Sequence, residues 1–335
     1  PLATGYSNAY CSRINGIGPH DMGCWGSHRL SSGAHRALQR ELDMDQVVNG
    51  NLDALTDEEL DILERQIADK YMRIVPWVAV VWGISNCLVF FSLFPLVLAG
   101  LMPLWLAFPI ATLSLMLAYL PSHEAQHGII GRKGTKLHWL NELLGHISLL
   151  PLMSSYHVLR ATHMEHHRHC NDPQLDPDYK IHAKDGWAFL AQHIRNLQPG
   201  SEEGAAYGEC LERIGESRLA IHQVIYQLVY LAIMFTLAWT GYAVEAALIW
   251  WIPKIIAGIH LRYYLSWVPH HPAELQGRYL DTHAFKSKLG NLFSAGMQYH
   301  IVHHLYPRIP LSLTPAAYRE LRPILERRGC DLGDM

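Results

Sequence analysis

Two long stretches of the chain consist almost entirely of apolar residues. Between Ile74 and Ser122 there is no Asp, Glu, Lys or Arg, and between Ile221 and Ile252 the only charged residue is Glu245. Because about 20 mainly apolar residues form a helix that can cross a bilayer, each stretch is long enough for two spans. The predicted spans are residues 74–96, 102–121, 221–241 and 243–265.

Short segments with turn-forming residues separate the paired spans. The link Ala99–Pro103 contains a glycine and a proline, and Gly241 lies between the second pair of spans, so each link can reverse the chain direction. A helix at the surface of a soluble protein usually keeps one polar face, whereas these segments have almost none. We therefore predict an all-α integral membrane protein with four transmembrane helices in two hairpins, rather than buried helices of a soluble core.

The remainder of the chain suggests one folded domain with less regular ends. Residues 1–54 are rich in Gly and Ser and lack the apolar segment of a secretory signal, so we expect an irregular N-terminal region. Residues 55–325 are expected to form a single membrane domain, followed by a C-terminal tail at 326–335. Within the domain, the segment 196–208 is rich in Gly and Glu and is expected to be a mobile loop.

Two segments beside the spans have patterns of their own. Leu55–Arg73 is predicted to form an amphipathic helix that leads into the membrane, with Thr56 as its N-cap and Glu59 as the capping-box partner. Leu137–Leu159 is moderately apolar but contains several polar residues. It is expected to lie at the membrane interface and to be broken near Pro151.

Basic residues flank the spans on one side only. The residues concerned are Lys70, Arg73, Arg132, Lys133 and Lys136. The short links within each pair of spans contain no Lys or Arg. By the positive-inside rule, both termini and the polar segments are predicted to be cytoplasmic. These segments, residues 123–220 and 266–325, are expected to form a helical cap.

Eight of the 22 histidines form three tight clusters near the predicted span ends. Residues three or four apart lie on one face of a helix, so each cluster can direct its imidazoles towards one point. Because two hairpins return the chain to the same side, all three clusters are expected to share one face of the membrane. The clusters are His123 and His127; His163, His166 and His167; and His300, His303 and His304.

Eight converging imidazoles exceed what one ordinary metal ion takes. They suit two first-row transition metals, and imidazole is a good ligand for iron, zinc and copper. The net charge of −3 favours no particular partner, and the absence of a basic stripe argues against nucleic-acid binding. The six cysteines form no Cys-x-x-Cys pair, so we interpret them as reduced thiols rather than a disulfide framework.

The clusters and spans resemble those of the membrane fatty acid desaturase and hydroxylase superfamily. That family has three histidine boxes, His-x(3–4)-His and two of His-x(2–3)-His-His, separated by transmembrane hairpins. The resemblance runs from about residue 70 to about residue 325. It implies that the single membrane domain is desaturase-like and that all eight clustered histidines bind two iron ions. This di-iron centre would activate dioxygen and attack an unactivated C–H bond of a lipid.

Some family members use a further iron ligand near the end of the fourth span. The candidates here are His260, His270 and His271. The run Trp267–Pro272 resembles a Pro-His stretch associated with carotenoid ketolases and related hydroxylases, and on that basis we favour His270 as a metal ligand. The alternative is a histidine that caps the end of a helix.

Neutral imidazoles cannot offset the charge of two cations. Nearby carboxylates are expected to do so, and to orient each ring through its other nitrogen. The candidates in this catalytic role are Glu124, Glu165 and Asp178. Two further carboxylates nearby are Asp172 and Asp176. The segment Asn171–Asp178 resembles one found in some bacterial family members, and the alternative is a solvated turn rich in Pro and Asp.

The main functional hypothesis is a fatty-acyl desaturase-like enzyme. A carotenoid or other isoprenoid hydroxylase or ketolase is the close alternative, because the boxes do not separate these outcomes. The run from His123 to His127 also fits the zinc-protease pattern His-Glu-x-x-His, with Glu124 as general base. A haem-binding electron carrier and a non-catalytic receptor on the same scaffold stay open as well.

The sequence contains no nucleotide-binding fingerprint, because Gly16-Ile-Gly18 lacks the strand–helix context and the third glycine. Reducing equivalents for dioxygen would therefore come from an external donor, a ferredoxin-like protein or a haem carrier with its reductase, docking on the cytoplasmic face.

Overall fold

The computed structural model describes residues 52–197, 200–333 and 335. The irregular region expected at 1–54 therefore lies outside the described residues, except for a short 3-10 helix at Leu52–Ala54. The helices run in the order α1 Asp57–Met72, α2 Trp77–Leu98, α3 Leu104–Gln126, α4 His138–Ile147, α5 Tyr156–His169, α6 Gly186–Asn196, α7 Glu202–Arg213, α8 Leu219–Trp239, α9 Ala243–Trp267, α10 Gly290–Phe293, α11 His300–Leu305 and α12 Thr314–Arg327.

The helix predicted at Leu55–Arg73 is confirmed as α1, Asp57–Met72. Thr56 Oγ1 accepts a hydrogen bond from the Glu59 backbone N–H at 3.3 Å, and Glu59 Oε2 accepts one from the Thr56 backbone N–H at 2.8 Å. These reciprocal bonds satisfy two N–H groups that the first turn of a helix otherwise leaves unpaired. The capping box therefore fixes the start of α1.

Four of the helices are long and apolar enough to cross a membrane. They are α2, α3, α8 and α9, which contain 22, 23, 21 and 25 residues. Tyr230 is the only buried residue of α8, although its other side chains are largely apolar. A large apolar surface is unfavourable in water and favourable in lipid, so these helices suit an integral membrane protein. The expected turns also appear, since Gly100 and Gly241 adopt positive φ angles of 72° and 95°.

Helix α3 extends further than predicted. The expected span ends at residue 121, but the helix continues through Pro121 to Gln126, and His127 forms its C-cap. All residues from Pro121 to Gln126 are buried, so packing with the rest of the molecule maintains the helix where the apolar sequence ends. As a result His123 lies in the last turn of a candidate span rather than after it.

The segment between α3 and α8 contains the helices α4, α5, α6 and α7, joined by irregular stretches. The predicted break near Pro151 is confirmed, because α4 ends at Ile147 and α5 begins at Tyr156. The prediction of a mobile loop at 196–208 is wrong in its second half, because α7 begins at Glu202. Ser201 caps this helix, and its Oγ accepts a hydrogen bond from the Gly204 backbone N–H at 3.2 Å.

Helix α3 is the centre of the packing. It contacts α2, α4, α5 and α9. An aromatic cluster supports this arrangement, since the ring centroids of Phe90 in α2 and Trp250 in α9 are 5.6 Å apart. Trp250 Nε1 also donates a hydrogen bond to the Pro151 carbonyl at 2.6 Å. Helix α9 contains two π-helical stretches, at Ala247–Trp251 and Arg262–Trp267.

A buried carboxylate anchors α1 to the end of α11. Glu64 accepts hydrogen bonds from the hydroxyl groups of Tyr306 at 2.7 Å and Tyr279 at 2.9 Å, and it pairs with Arg278 at 2.9 Å. Tyr306 directly follows α11, which carries the third group of clustered histidines. This contact therefore fixes the end of a helix that supplies the candidate site.

Candidate metal centre

The three histidine boxes converge on one region of the structure. The first box comes from the end of α3, the second from the C-terminal half of α5 and the third from α11. The helical spacing predicted for the second and third boxes is therefore present. Each of the three helices contributes imidazoles to this region. The possible metal ligands there form two groups, which are called the first and the second histidine cluster below.

The first histidine cluster contains imidazoles from all three helices. The Nε2 atoms of His127 and His163 are 2.9 Å apart, and those of His163 and His167 are 3.2 Å apart. His167 Nε2 lies 3.1 Å from His303 Nε2. The ring of His123 packs against the same group, with its centroid 4.5 Å from that of His303. Five imidazoles thus surround one small volume.

The second histidine cluster contains His166, His270, His300 and His304. One ligand atom each from His166, Cys170, His270 and His304 lies within 4.8 Å of the others. His270 Nε2 lies 3.0 Å from His300 Nε2, and the ring centroids of His300 and His304 are 4.6 Å apart. The two clusters adjoin, because the rings of His167 and His304 stack with centroids 4.2 Å apart.

These nitrogen contacts fit bound metal ions better than hydrogen bonds. A neutral imidazole has one N–H and one lone pair, yet Nε2 of His163 and Nε2 of His167 each face two other imidazole nitrogens within 3.2 Å. At a metal–nitrogen distance of about 2.1 Å, two ligands at right angles are about 3.0 Å apart. The buried Nε2 of His304 also has no hydrogen-bond partner among the described residues.

Burial keeps these imidazoles in the form that binds metals. Desolvation, followed by the repulsion of neighbouring imidazoles, lowers the pKa of seven of them well below the ordinary value of histidine. They are His127, His163, His167, His270, His300, His303 and His304. Because a histidine ligand must be neutral, no proton has to be removed from these rings when a metal binds.

A buried carboxylate orients one ring of the second histidine cluster. Asp176 Oδ1 lies 2.9 Å from His166 Nδ1, and Asp176 Oδ2 accepts a hydrogen bond from the Asn171 backbone N–H at 2.9 Å. A carboxylate on Nδ1 fixes the ring and leaves Nε2 for a metal. Of the two interpretations of Asn171–Asp178, this contact supports the one in which the segment serves the metal centre.

Replacing Asp176 with asparagine is expected to weaken metal binding about 10–100-fold. The asparagine amide keeps the size of the side chain but removes the charge that favours the Nδ1 proton of His166. Equilibrium titration of the purified protein with ferrous iron measures the affinity. Asp172→Asn is the matched control, since among the described residues the Asp172 carboxylate accepts hydrogen bonds from nearby backbone N–H groups at 2.8 and 3.0 Å rather than facing an imidazole of either cluster. Equal affinities in the two variants would contradict a role for Asp176.

The three carboxylates expected in the catalytic role make their hydrogen bonds and ion pairs with groups other than the clustered imidazoles. Glu124 Oε1 accepts a hydrogen bond from the Leu311 backbone N–H at 2.7 Å. Glu165 pairs with Arg168 and, at 3.2 Å, with Arg213 of α7. Asp178 accepts a hydrogen bond from the Tyr207 hydroxyl at 2.7 Å, and burial raises the pKa of the Asp178 carboxyl. In this structure their contacts join segments around the centre.

Of the three candidates for a further ligand, the structure places only His270 beside the boxes. His270 Nδ1 faces the Asp281 carbonyl at 3.2 Å, which leaves Nε2 towards His300. His260 Nε2 instead lies 2.6 Å from the Phe293 carbonyl. The ring of His271 packs on Trp267, with centroids 4.8 Å apart.

Two residues beside the second histidine cluster were missed from the sequence. Cys170 Sγ lies 3.3 Å from His270 Nδ1, and burial raises the pKa of its thiol well above the ordinary value. Its position four residues after His166 was the available signal. Asn171, with a positive φ of 62°, donates hydrogen bonds from Nδ2 to the carbonyls of Leu275 and Asp281, both at 2.8 Å. Asparagine tolerates this backbone conformation better than most residues.

Comparison with known proteins supports the interpretation of the site. The family model described as fatty acid desaturase matches residues 99–332. A zeaxanthin 4-ketolase of Chlamydomonas reinhardtii is 26% identical over 157 residues, which are 46% of this chain and 29% of the relative. An sn-1 oleoyl-lipid 12-desaturase of Anabaena variabilis is 34% identical over 82 residues, 23% of this chain and 22% of the relative.

A similar desaturase of Picosynechococcus is 30% identical over 122 residues, 35% of this chain and 32% of the relative. The chain thus spans less than a third of the length of the curated relatives that it matches here. The matched family region contains both histidine clusters.

Proposed function

Because the chain belongs to the fatty acid desaturase family, we propose that it is an integral membrane oxidoreductase that uses two iron ions and dioxygen to oxidise a lipid. The observation that carries this proposal is the pair of adjoining histidine clusters, whose Nε2 atoms approach one another to 2.9–3.2 Å. Imidazole is a suitable ligand for iron, and the nine rings are enough for two ions.

Each histidine cluster would hold one iron ion. The first cluster draws on all three boxes, and the second adds His270 to box residues of α5 and α11. When bound, the iron pair supplies the activation of dioxygen that oxidation of an unactivated C–H bond requires. Asp176 holds the His166 ring in place, and its negative charge partly offsets the cations. The burial of most of these rings limits the access of water to the reacting atoms.

The leading proposal for the reaction is desaturation of a fatty-acyl lipid. Two of the relatives described above are sn-1 oleoyl-lipid 12-desaturases, and four helices suit a membrane in which such a lipid resides. The specific alternative is hydroxylation or ketone formation on a carotenoid. It is supported by the zeaxanthin 4-ketolase, which aligns with a larger share of this chain than either desaturase does.

An external electron donor follows from the balance of either reaction. In desaturation, reduction of dioxygen to two water molecules takes up four electrons and four protons, and removal of two hydrogens from the lipid supplies two of each. In hydroxylation, one oxygen atom enters the lipid and the other becomes water, which takes up two electrons and two protons. In both reactions a ferredoxin-like protein or a haem carrier with its reductase would supply the two remaining electrons, and the two protons would come from water. We propose that α2 with α3, and α8 with α9, form two hairpins that put the centre and both termini on the cytoplasmic side, where the exposed Arg132 and Lys133 also lie.

The test is to express the protein in membranes with a reducing system and compare total lipids and pigments by mass spectrometry. Loss of two hydrogens from an acyl lipid would support desaturation, whereas gain of oxygen by a pigment would support the carotenoid alternative. Protein carrying His163→Ala serves as the inactive control. If the wild-type protein holds two irons and changes no lipid or pigment with any donor, the oxidase proposal is contradicted.

The zinc-protease hypothesis receives less support from the geometry. It requires Glu124 to act on a water molecule at a metal held by His123 and His127. Glu124 Oε1 instead accepts the Leu311 N–H at 2.7 Å, and His163 and His303 share the site with the two protease-pattern histidines. Iron rather than zinc in the purified protein would discriminate further.

A further inference from the structure

We propose that Glu142, His146 and His157 form a separate binding site for one divalent transition-metal ion of the zinc type. One ligand atom from each of the three residues lies within 4.8 Å of the others. Two imidazoles and one carboxylate, with water in the fourth position, are an established ligand set for zinc. The site does not depend on the proposed oxidase function and shares no residue with either histidine cluster.

The close packing of α4 against the start of α5 brings these three side chains together. Glu142 and His146 lie one turn apart on α4 and therefore on one face. An added Cβ at Gly145 would lie 2.4 Å from Tyr156 Cε2, so the glycine allows α4 and the start of α5 to approach closely. This approach places the rings of His146 and His157 with centroids 4.8 Å apart.

The carboxylate of the proposed site is already held in place. Glu142 Oε1 accepts hydrogen bonds from the Tyr156 hydroxyl at 3.2 Å and from Asn141 Nδ2 at 3.4 Å. These contacts use one oxygen and leave the other for a cation. Since Tyr156 Oη also lies 3.0 Å from the Ala125 carbonyl, the site is connected to the backbone between His123 and His127.

Accessibility and charge distinguish this site from the buried centre. Glu142, His146 and His157 are all half-buried, so an ion can enter from solution and exchange. Burial lowers the pKa of His146 and His157, which favours the neutral ligand form. Arg160 Nη1 lies 3.9 Å from Glu142 Oε1 and opposes a bound cation. A bound ion would join α4 to α5, the helix that carries the second histidine box.

The experiment titrates the iron-loaded protein in detergent with cobalt(II), a spectroscopic probe for zinc sites, and measures iron by mass spectrometry throughout. We expect one cobalt to bind while two irons are retained. His146→Ala and His157→Ala should each weaken cobalt binding more than about 10-fold without loss of iron. His169→Ala, at the opposite end of α5, is the matched control and should bind cobalt as the wild type does.

A variant with the opposite expected sign guards against misfolding as an explanation. Arg160→Gln removes a repulsive charge and should tighten cobalt binding several-fold, which a damaged fold would not do. The proposal is overturned if His146→Ala and His157→Ala bind cobalt like the wild type, if Arg160→Gln binds it no more tightly, or if cobalt binds only as iron leaves. The first two results would leave the proposed oxidase function untouched, because neither concerns the iron centre.

Discussion

Replacing His303 with alanine is expected to reduce lipid oxidation by more than about 100-fold and to lower the iron content below two per chain. His303 is the residue through which α11 reaches the first histidine cluster. Its Nε2 lies 3.1 Å from His167 Nε2, and its ring centroid is 4.5 Å from that of His123. Without this imidazole, the ion in the first cluster has no ligand from the third box. Iron analysis and product formation measure the two effects.

His169→Ala is the matched control for this prediction. His169 follows the second box on α5, but its Nε2 lies 3.7 Å from Glu165 Oε2, and it belongs to neither group of candidate metal ligands. Removal of this histidine should leave both iron content and activity near the wild-type values. Circular dichroism would establish that His303→Ala keeps its helices. A folded His303→Ala protein with two irons and full activity would show that His303 is not an iron ligand.

The main elements of the fold could be predicted because their signals are local. Apolar stretches such as Ile74–Ser122 predict helices that can cross a membrane, and each histidine box is a short run of residues on one helix or at its end. The capping box of Thr56 and Glu59 is also a pattern within one turn. Such features depend on residues close together in the sequence, and the structure reproduces them within a few residues.

The features that the sequence did not predict depend on contacts between distant segments. Cys170 and His270 are 100 residues apart in the sequence, and the contact follows from the path of the irregular segment after α9. No periodic pattern in that segment reveals where a side chain points. The end of α3 was misplaced for a related reason. Apolar composition changes at Ser122, whereas tertiary burial continues the helix to Gln126.

The same reasoning explains why the carboxylates were difficult to assign. Asp176 and Asp178 are two residues apart in one Asp- and Pro-rich segment, yet Asp176 faces His166 and Asp178 faces Tyr207. Sequence proximity to a box selects both residues equally. Only the turn that follows Asn171 decides which carboxylate reaches a ring, and that turn is fixed by hydrogen bonds to the segment after α9.

Replacing His270 with alanine is expected to remove one of two irons and most of the activity. His270 is the only residue of the second histidine cluster that lies outside the three boxes, and its Nε2 lies 3.0 Å from His300 Nε2. Loss of a ligand from a site with four imidazoles costs more than loss of an orienting partner, for which about 10–100-fold in affinity is typical. Iron should fall towards one per chain, because the first cluster keeps all its imidazoles.

The adjacent histidine provides a stringent control for this prediction. His271→Ala changes the same residue type one position further along, but the His271 ring packs on Trp267, so we expect it to retain two irons. Mössbauer spectroscopy of protein loaded with iron-57 would distinguish a coupled pair of ions from the single ion expected in His270→Ala. If His270→Ala retains a coupled pair, His270 only supports its neighbours, and the three boxes alone supply the ligands.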